Sequence, residues 1–428
     1  MNYKQLNNLN QLTETTLIVG TDVSKEFHVA RAQDFRGIEL GKSIKFDNDI
    51  EGYRRFEEWF KKLMAEYGKT DIVIGMEPTG PYWLTLVRWL IKNEYRAVMV
   101  NPAATKKAKE LDDNNQAKTD YRDARVIAQL VKDGRFTEPT IRNGFYEELK
   151  NTNRLRRSMV KDLTKTKNRI VNWLDRYFPE YRKCCSDWES VTLIWMLKRY
   201  KLPSVIANLE IEEVFQEIKK EHPRGIGRKK LKEIIDISKE SVGIDEGIGS
   251  ACWEFDYLMK QYEGLKEDIE GIEAYIDELT AESVDVRKIM EIKGIGLILA
   301  SGLISEYGDI RQFESPKQMR KVTGLSLVED SSGKKKGQMV ISKRGRPKAR
   351  HILYQCVLIM ISKNKAFKAL YEYYTKRNIN PLTGKEAIVA LMNKLIRIIH
   401  TIITKDVPYD EEKMMKDIIR PEQMKVVY

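Results

Sequence analysis

Residues 17–34 read LIVGTDVSKEFHVARAQD, in which apolar and polar side chains alternate on either side of a short turn at 24–26. Alternation with a period of two is typical of β-strands, and a polar turn between two such runs predicts a hairpin. Residues 38–46 continue the pattern as a third strand. The chain is therefore expected to begin with three antiparallel strands.

The next hundred residues alternate between helical spacing and short apolar runs of the kind buried in parallel sheets. The predicted elements are helices at 49–67, 82–92, from Pro102 and at 120–132, with strands at 71–76 and 97–101. The order β-β-β-α-β-α-β-α describes an RNase H-like mixed sheet, although the order alone leaves other α/β arrangements open. The predicted fold class is α/β for the first part of the chain, followed by α.

Two long helices are predicted in the middle of the chain. The first covers 145–178, and between Arg154 and Arg176 it carries eight Lys or Arg residues against two Asp residues. A helix face with this charge favours nucleic-acid binding. The second has apolar residues at intervals of three and four from Phe255 to Leu279, the seam of a coiled coil. The two helices could pair as an antiparallel hairpin or join two subunits.

Composition narrows the class of protein. The chain has 428 residues, and 75 Lys and Arg against 63 Asp and Glu give a net charge of +12, which favours phosphate-bearing partners or anionic membranes. The apolar stretch at 352–361 is too short to span a bilayer, and the N-terminus lacks the features of a secretion signal. A cytoplasmic protein without membrane contact is expected. Four cysteines without C-x-x-C spacing indicate reduced thiols.

Glycine-rich turns and a basic segment are further candidates for phosphate contact. Lys293-Gly294-Ile295-Gly296 and a second Gly-Ile-Gly at 225–227 resemble the turn of helix-hairpin-helix modules, in which backbone amides meet a phosphate. A plain connection between helices is the alternative. Residues 331–350 hold eight Lys or Arg residues and no acid, which predicts a flexible cationic segment that contacts nucleic acid.

Four carboxylates are candidates for a metal site. Asp22 lies late in the first strand, and Glu77 directly follows the strand at 71–76, its expected neighbour. Asp120 and Asp123 are three residues apart on one helix face. Carboxylate-held Mg²⁺ is suited to phosphodiester chemistry because it neutralises charge on phosphate oxygens. The alternative is that the two helical acids only complement the helix dipole.

The motifs in their order resemble those of the DEDD transposases of bacterial insertion sequences. They are Gly20-Thr-Asp-Val-Ser-Lys25, Glu77-Pro-Thr-Gly80, Lys118-Thr-Asp-x-x-Asp-Ala124, Gly294-Ile-Gly296, and Ser331-Ser-Gly333 followed by Ile341-Ser-Lys-Arg-Gly345. The resemblance implies a recombinase with a RuvC-like (RNase H fold) domain, a coiled coil and a mostly helical transposase domain. It also implies guidance by a bridge RNA, a noncoding RNA of the element that pairs with donor and target DNA.

The resemblance assigns roles to individual residues. Asp22, Glu77, Asp120 and Asp123 would hold Mg²⁺. Ser332 would attack the phosphodiester to give a covalent protein–DNA intermediate, with Ser331 the second candidate and Ser342 a weaker one. The implied assembly is a dimer or tetramer in which acids and serine from different subunits meet. The residues expected to contact nucleic acid are Arg154, Arg156, Arg157, Lys161, Lys165, Gly294, Gly296, Lys334, Lys335, Lys343, Arg344 and Arg350.

The predicted domains are 1–140 (RuvC-like), 141–288 (coiled coil and helical insertion), 289–404 (transposase) and 405–428 (tail). Two features depart from the family pattern: a long stretch at 184–249 and the sequence Arg-Pro-Lys-Ala-Arg at 346–350. Two other functions remain open. One is a structure-selective nuclease of the Holliday-junction type that uses the four acids and water, and the other is a nonenzymatic RNA- or DNA-binding scaffold.

Overall fold

A computed structural model describes residues 3–78, 80–112, 120–139, 144–332 and 335–416. The chain forms two compact units, Met1–Ile141 and Arg142–Tyr428. The first unit is a mixed α/β structure, and the second is mostly helical. The segments predicted at 141–288 and 289–404 thus lie within one compact unit, and their boundary stays a prediction.

The first unit is built around one six-stranded sheet. Its elements are α1 (Tyr3–Leu9), β1 (Thr16–Val23), β2 (Phe27–Gln33), β3 (Ile44–Asp47), α2 (Ile50–Glu66), β4 (Asp71–Met76), α3 (Trp83–Lys92), β5 (Arg96–Val100), α4 (Pro102–Asp112), α5 (Asp120–Lys132) and β6 (Phe136–Thr137). The strand order is β3-β2-β1-β4-β5-β6. β1 pairs antiparallel with β2 and parallel with β4, and β4 pairs parallel with β5.

The predicted mixed α/β sheet with a mostly helical remainder is confirmed, and the arrangement fits an RNase H-like domain. The third strand was predicted too long: β3 contains only Ile44–Asp47, and Glu39 forms an isolated bridge to Gln33. Two short elements were not predicted, α1 and the two-residue β6. Elements this short contain too few residues to show a period.

The two faces of the sheet pack against different helices. α2 and α3 cover the face that carries Leu17, Val19 and Ile74. α5 covers the other face, where Ile18 and Val73 point. Because side chains alternate along a strand, both faces of β1 and β4 are buried, which explains their nearly continuous apolar sequences.

A pair of glycines in the sheet allows α5 to pack closely against it. Gly20 of β1 and Gly75 of β4 lie opposite each other in the parallel register. A Cβ atom at Gly20 would lie 2.1 Å from the carbonyl oxygen of Ala124, and one at Gly75 would lie 2.3 Å from Cγ2 of Val131. Only glycine permits so close an approach of helix and sheet, so these positions fix where α5 lies.

The second unit contains two long helices, many shorter ones and one small sheet. Its elements are α6 (Phe145–Tyr177), α7 (Tyr181–Cys184), α8 (Val191–Tyr200), α9 (Pro203–Ile206), α10 (Ile211–Glu221), α11 (Arg228–Lys239), α12 (Ile248–Thr280), α13 (Val284–Met290), α14 (Leu297–Tyr307), a 3₁₀ turn (Ile310–Gln312), α15 (Pro316–Thr323), β7 (Leu327–Ser332), β8 (Lys335–Ile341), α16 (Pro347–Lys363), α17 (Lys365–Lys376), α18 (Gly384–Thr404) and α19 (Glu411–Lys416).

The long helices α6 and α12 run antiparallel within one chain. The indole nitrogen of Trp173 donates to the carbonyl oxygen of Ala251 at 2.8 Å, whereas Arg156, earlier in α6, contacts Glu273, later in α12. The hairpin alternative therefore holds within the chain, and a contact between subunits through these helices stays a prediction. In the middle of the apolar seam, Ile269 is only half-buried.

Two hydrophobic cores lie at the two ends of this helix pair. One forms where α7–α11, the helices inserted between the long pair, close around Trp173 and Tyr262. The other joins α13–α18 and includes Ile276 near the end of α12. The stretch predicted as a helical insertion is thus a small helical core of its own. All four cysteines are free thiols.

The basic segment at 331–350 was predicted to be flexible, and its described residues include strand β8 and the start of a helix. β7 and β8 form an antiparallel hairpin, with Val328 opposite Val340 and Leu327 opposite Ile341, and α16 begins at Pro347. The apolar residues that pair across the hairpin are few, and a polar and basic stretch separates those of β7 from those of β8. The prediction at Lys334 lies outside the described residues.

Among the described residues, α18 is the one helix long and apolar enough to span a membrane. Of its most apolar window, 61% is buried, and its side chains form the centre of the second core. A core helix has the same composition, so length and hydropathy alone do not indicate a membrane. The apolar stretch at 352–361 lies within α16, which has 17 residues.

Candidate active site

Asp22 and Glu77 lie at the carboxyl ends of two adjacent parallel strands. Thr21 pairs with Met76 in the β1–β4 register, so Asp22 and Glu77 are the next residues along each chain. Gly20 and Gly75, two residues earlier, face α5. Because side chains alternate, Asp22 and Glu77 lie on this same side of the sheet.

The first turn of α5 brings two more carboxylates to this end of the sheet. Asp123 is buried, with 5% of its surface exposed, and Asp120 is exposed. Asp123 directly precedes Ala124, the residue whose carbonyl oxygen meets Gly20. The close seat of the helix on the glycine pair therefore places Asp123 beside the end of β1.

Electrostatic coupling relates the four acids to one another. Burial, followed by the negative charges of Asp123, Asp120 and Glu77, raises the pKa of Asp22 from 3.8 to about 6, while the positive charge of Lys109 opposes this rise. Like charges raise a carboxyl pKa only when they are close. The four carboxylates predicted from the sequence thus share one electrostatic environment, as expected of a functional site.

Within the part of the chain that the structure describes, Lys109 brings a positive charge that acts on Asp22. Its ammonium lies 2.6 Å from Oδ2 of Asp123, and the guanidinium of Arg122 donates to the backbone carbonyl oxygen of Lys109 at 3.0 Å. The sequence analysis missed Lys109. The sequence around Lys109 does not indicate this contact, because it depends on how two helices pack against each other.

The donor set has the chemistry that Mg²⁺ prefers, because all four groups are carboxylates and Mg²⁺ binds oxygen ligands. Besides burial, repulsion from the other three acids raises the pKa of Asp22, even with Lys109 nearby. A divalent cation would relieve this repulsion, so the residues fit the metal. Within the described ranges, no three His, Cys, Asp or Glu side chains are arranged as ligands. Asp123 is instead paired with Lys109.

Ser332 is the last residue of β7 and pairs with Lys335 of β8, after an irregularity in register that follows Asp330. Ser331 is its neighbour in the same strand. The side chains of these three residues lie outside the part of the structure that is described. Their predicted roles rest on the sequence.

The cationic residues predicted on α6 separate into two groups. Arg154, Lys161 and Lys165 are exposed, and Lys165 also forms a surface ion pair with Asp162 at 2.8 Å. Arg156 instead contacts Glu273, and Arg157 contacts Glu306 at 3.2 Å. These two arginines join α6 to neighbouring helices, and their assignment to nucleic acid stays a prediction.

The other predicted phosphate contacts also differ in their surroundings. Gly296 precedes α14, with nothing within 4 Å of the place a Cβ would take, whereas Gly294 packs near Met360 with a φ of +104°. Lys343 and Arg344 are exposed. Arg350 donates to the carbonyl oxygen of Thr323 at 2.8 Å, which ties α16 to α15. Arg350 therefore has a structural role that its sequence did not indicate.

Comparison with known proteins gives two family matches. The DEDD transposase family of the IS110 type matches residues 19–179, and the transposase family IS116/IS110/IS902 matches residues 286–372. The first match contains the carboxylates, and the second contains the hairpin. Together they define the class of protein as a DNA transposase.

Individual relatives agree with this class. An insertion element IS110 protein of 43.6 kDa from Streptomyces coelicolor is 20% identical over 93% of this chain and 96% of its own length. The transposase for IS1328 from Yersinia enterocolitica is 30% identical over 35% of this chain and 44% of its own length, and that for IS1111A from Coxiella burnetii is 32% identical over 33% and 39%. The chain belongs to the DEDD transposases of the IS110 family.

Proposed function

We propose that this transposase is Mg²⁺-dependent, is guided by a bridge RNA, and cuts and rejoins DNA through a phosphoserine intermediate. The observation that carries the proposal is the convergence of Asp22, Glu77, Asp120 and Asp123 around the ends of β1 and β4. A group of carboxylates that raises the pKa of one of its members is costly for folding, and metal binding gives it a function.

The four carboxylates hold and orient the divalent ion in this proposal. When bound, Mg²⁺ neutralises charge on the phosphate that is attacked and on the leaving oxygen. Asp123 is the most buried of the group, so it is the ligand with the least freedom to move. Asp120 is exposed and is the acid most accessible to an approaching nucleic acid.

Ser332 acts as the nucleophile in this proposal. Its hydroxyl oxygen gives up its proton and forms a bond to phosphorus, the bond from phosphorus to the leaving deoxyribose oxygen breaks, and that oxygen takes up a proton, so that no proton is gained or lost overall. Attack by a second DNA hydroxyl on the phosphoserine reverses these steps and restores the serine. A serine hydroxyl is a weak nucleophile, and a cation beside it favours its ionised form; Lys335, which pairs with Ser332 in the hairpin register, is the cation that we propose for this role.

RNA and DNA are the proposed partners, in a homo-oligomer that acts in the cytoplasm. The exposed Arg154, Lys161 and Lys165 lie on α6 and provide a surface for phosphates. Guide RNA and DNA would supply the sequence choice by base pairing, and the protein would contact backbone.

The experiment is incubation of the full chain with Mg²⁺, candidate bridge RNA and donor and target DNA, followed by denaturing electrophoresis. We expect a covalent protein–DNA adduct that is lost in both Ser332→Ala and Asp22→Asn. Ser331→Ala serves as the matched control and should retain the adduct. Free cleaved ends from Ser332→Ala would instead support the nuclease, and unchanged DNA processing by Asp22→Asn would support a scaffold without metal catalysis.

A further inference from the structure

We propose that Lys109 occupies the cation position of the carboxylate group in the metal-free protein, and that a divalent ion binds by displacing it. This inference rests on the proposed function, because it takes these carboxylates as the metal ligands. It adds a residue that lies outside the four acids and that opposes metal binding. Three features of Lys109 support this proposal. They are its contact with Asp123, the action of its charge on Asp22, and the hydrogen bond that anchors its backbone.

The contact is a direct and shielded ion pair. Nζ of Lys109 lies 2.6 Å from Oδ2 of Asp123, and only 8% of the Asp123 side chain is exposed. An ion pair with one buried member is held more firmly than a surface pair, since removal of one charge leaves the other uncompensated. One of the oxygen atoms that a metal would need is therefore already bound to an ammonium.

The charge of Lys109 acts on more carboxylates than its direct partner, Asp123. Its charge also acts on Asp22, which belongs to a different element, the sheet strand β1. Lys109 thus interacts with carboxylates from α5 and from the sheet together, as a shared cation would. A single positive charge cannot neutralise four carboxylates, so a divalent ion has an electrostatic advantage over it.

The hydrogen bond that anchors Lys109 holds its main chain and does not involve its side chain. Arg122 of α5 donates to the backbone carbonyl oxygen of Lys109 at 3.0 Å, which joins the end of α4 to α5. The Lys109 side chain is 30% exposed. Displacement of the ammonium therefore needs only a change of side-chain rotamer into solvent, while the backbone stays in place.

Two states follow from these features. Without metal, the ammonium limits repulsion among the acids and keeps Asp123 paired. With metal, the pair is broken, and the free energy of breaking it is subtracted from the free energy of metal binding. The lysine therefore lowers the affinity for divalent ions and makes the metal-free unit more stable.

The test measures Mn²⁺ binding to the full chain without nucleic acid, from the electron paramagnetic resonance signal of free Mn²⁺. We expect Lys109→Met to bind Mn²⁺ about tenfold more tightly than the unmodified protein, which corresponds to about 1.4 kcal/mol. The matched control is Lys107→Met, which removes the same charge from an exposed position of the same helix and should change affinity far less. Lys109→Arg keeps the charge and should not bind more tightly.

A second readout guards against a variant that simply folds poorly. Thermal unfolding with and without Mn²⁺ should show a larger metal-induced rise in Tm for Lys109→Gln than for the unmodified protein. Equal affinities for Lys109→Met and the unmodified protein would overturn the displacement of Lys109 while leaving the metal site intact. Mn²⁺ binding that does not depend on Asp22 or Asp123 in any variant would overturn the proposed function as well.

Discussion

The carboxylate end of the first unit and the serine hairpin of the second unit are built in opposite ways. The carboxylates follow strands that are buried on both faces, and α5 is seated on glycines without space for a methyl group. The hairpin has only two strands, and Leu327 and Met339 are 56% and 60% exposed. A two-stranded ribbon with exposed apolar residues is marginally stable alone. The carboxylates are thus positioned by tight packing of helix and sheet, whereas the described apolar residues of the hairpin are open to solvent.

The largest effect on stability is expected where the glycine pair of the sheet packs against α5. Gly20→Ala would place a methyl group 2.1 Å from the carbonyl oxygen of Ala124, so α5 must shift, and we expect a loss of about 3 kcal/mol in the free energy of unfolding. Gly264→Ala in α12 is the control, because nothing lies within 4 Å of its new methyl group; it should gain up to about 1 kcal/mol. Urea unfolding measures both. A Gly20→Ala protein as stable as the original would refute the rigid seat.

Much of the first unit could be predicted from the sequence because its elements are long and periodic. The strand at 71–76 and the helix at 120–132 were predicted with the bounds observed, and those elements carry or adjoin three of the acids. Lys109 could not be predicted, since its contact depends on how two helices pack. The β7–β8 hairpin was missed because its apolar residues are few and are separated by a polar and basic stretch. The ion pair of Arg156 with Glu273 could not be predicted, because the sequence does not show which side of a helix faces a neighbour.

The stability of the protein is expected to depend on pH through the carboxyl group of Asp22. Its folded-state pKa, about 6, lies above the ordinary 3.8, so the folded protein binds this proton more tightly than the unfolded chain does. Stability is therefore lost as pH rises from about 4 through 6. In metal-free buffer at pH 7.5, Asp22→Asn should be more stable by about 1–2 kcal/mol, after allowance for solvent screening.

The same variant supplies its own controls. The advantage of Asp22→Asn should disappear below about pH 4, where the carboxyl is protonated in both states. Added Mg²⁺ should stabilise the original protein and leave Asp22→Asn nearly unchanged. Chemical unfolding at each pH measures these differences, and an Asp22→Asn protein less stable than the original at pH 7.5 would contradict the repulsion among the acids.

The smallest effect is expected in the hairpin. Val340→Ala removes a side chain that is 41% exposed, and we expect a change of at most about 0.5 kcal/mol in the free energy of unfolding. Val19→Ala, in the fully buried centre of the first sheet, should lose about 2 kcal/mol or more. Thermal or urea unfolding measures both variants. Similar losses for the two would show that the hairpin is as tightly packed as the sheet.

The antiparallel pair α6 and α12 also has a mechanical consequence. Each helix has 33 residues, so the pair extends about 50 Å and carries one hydrophobic core at each end. A tilt of about 5° at one end would displace the other by roughly 4 Å, close to the length of one helical turn. Through the helix pair, a small rotation of one core can therefore displace the other core by several ångströms.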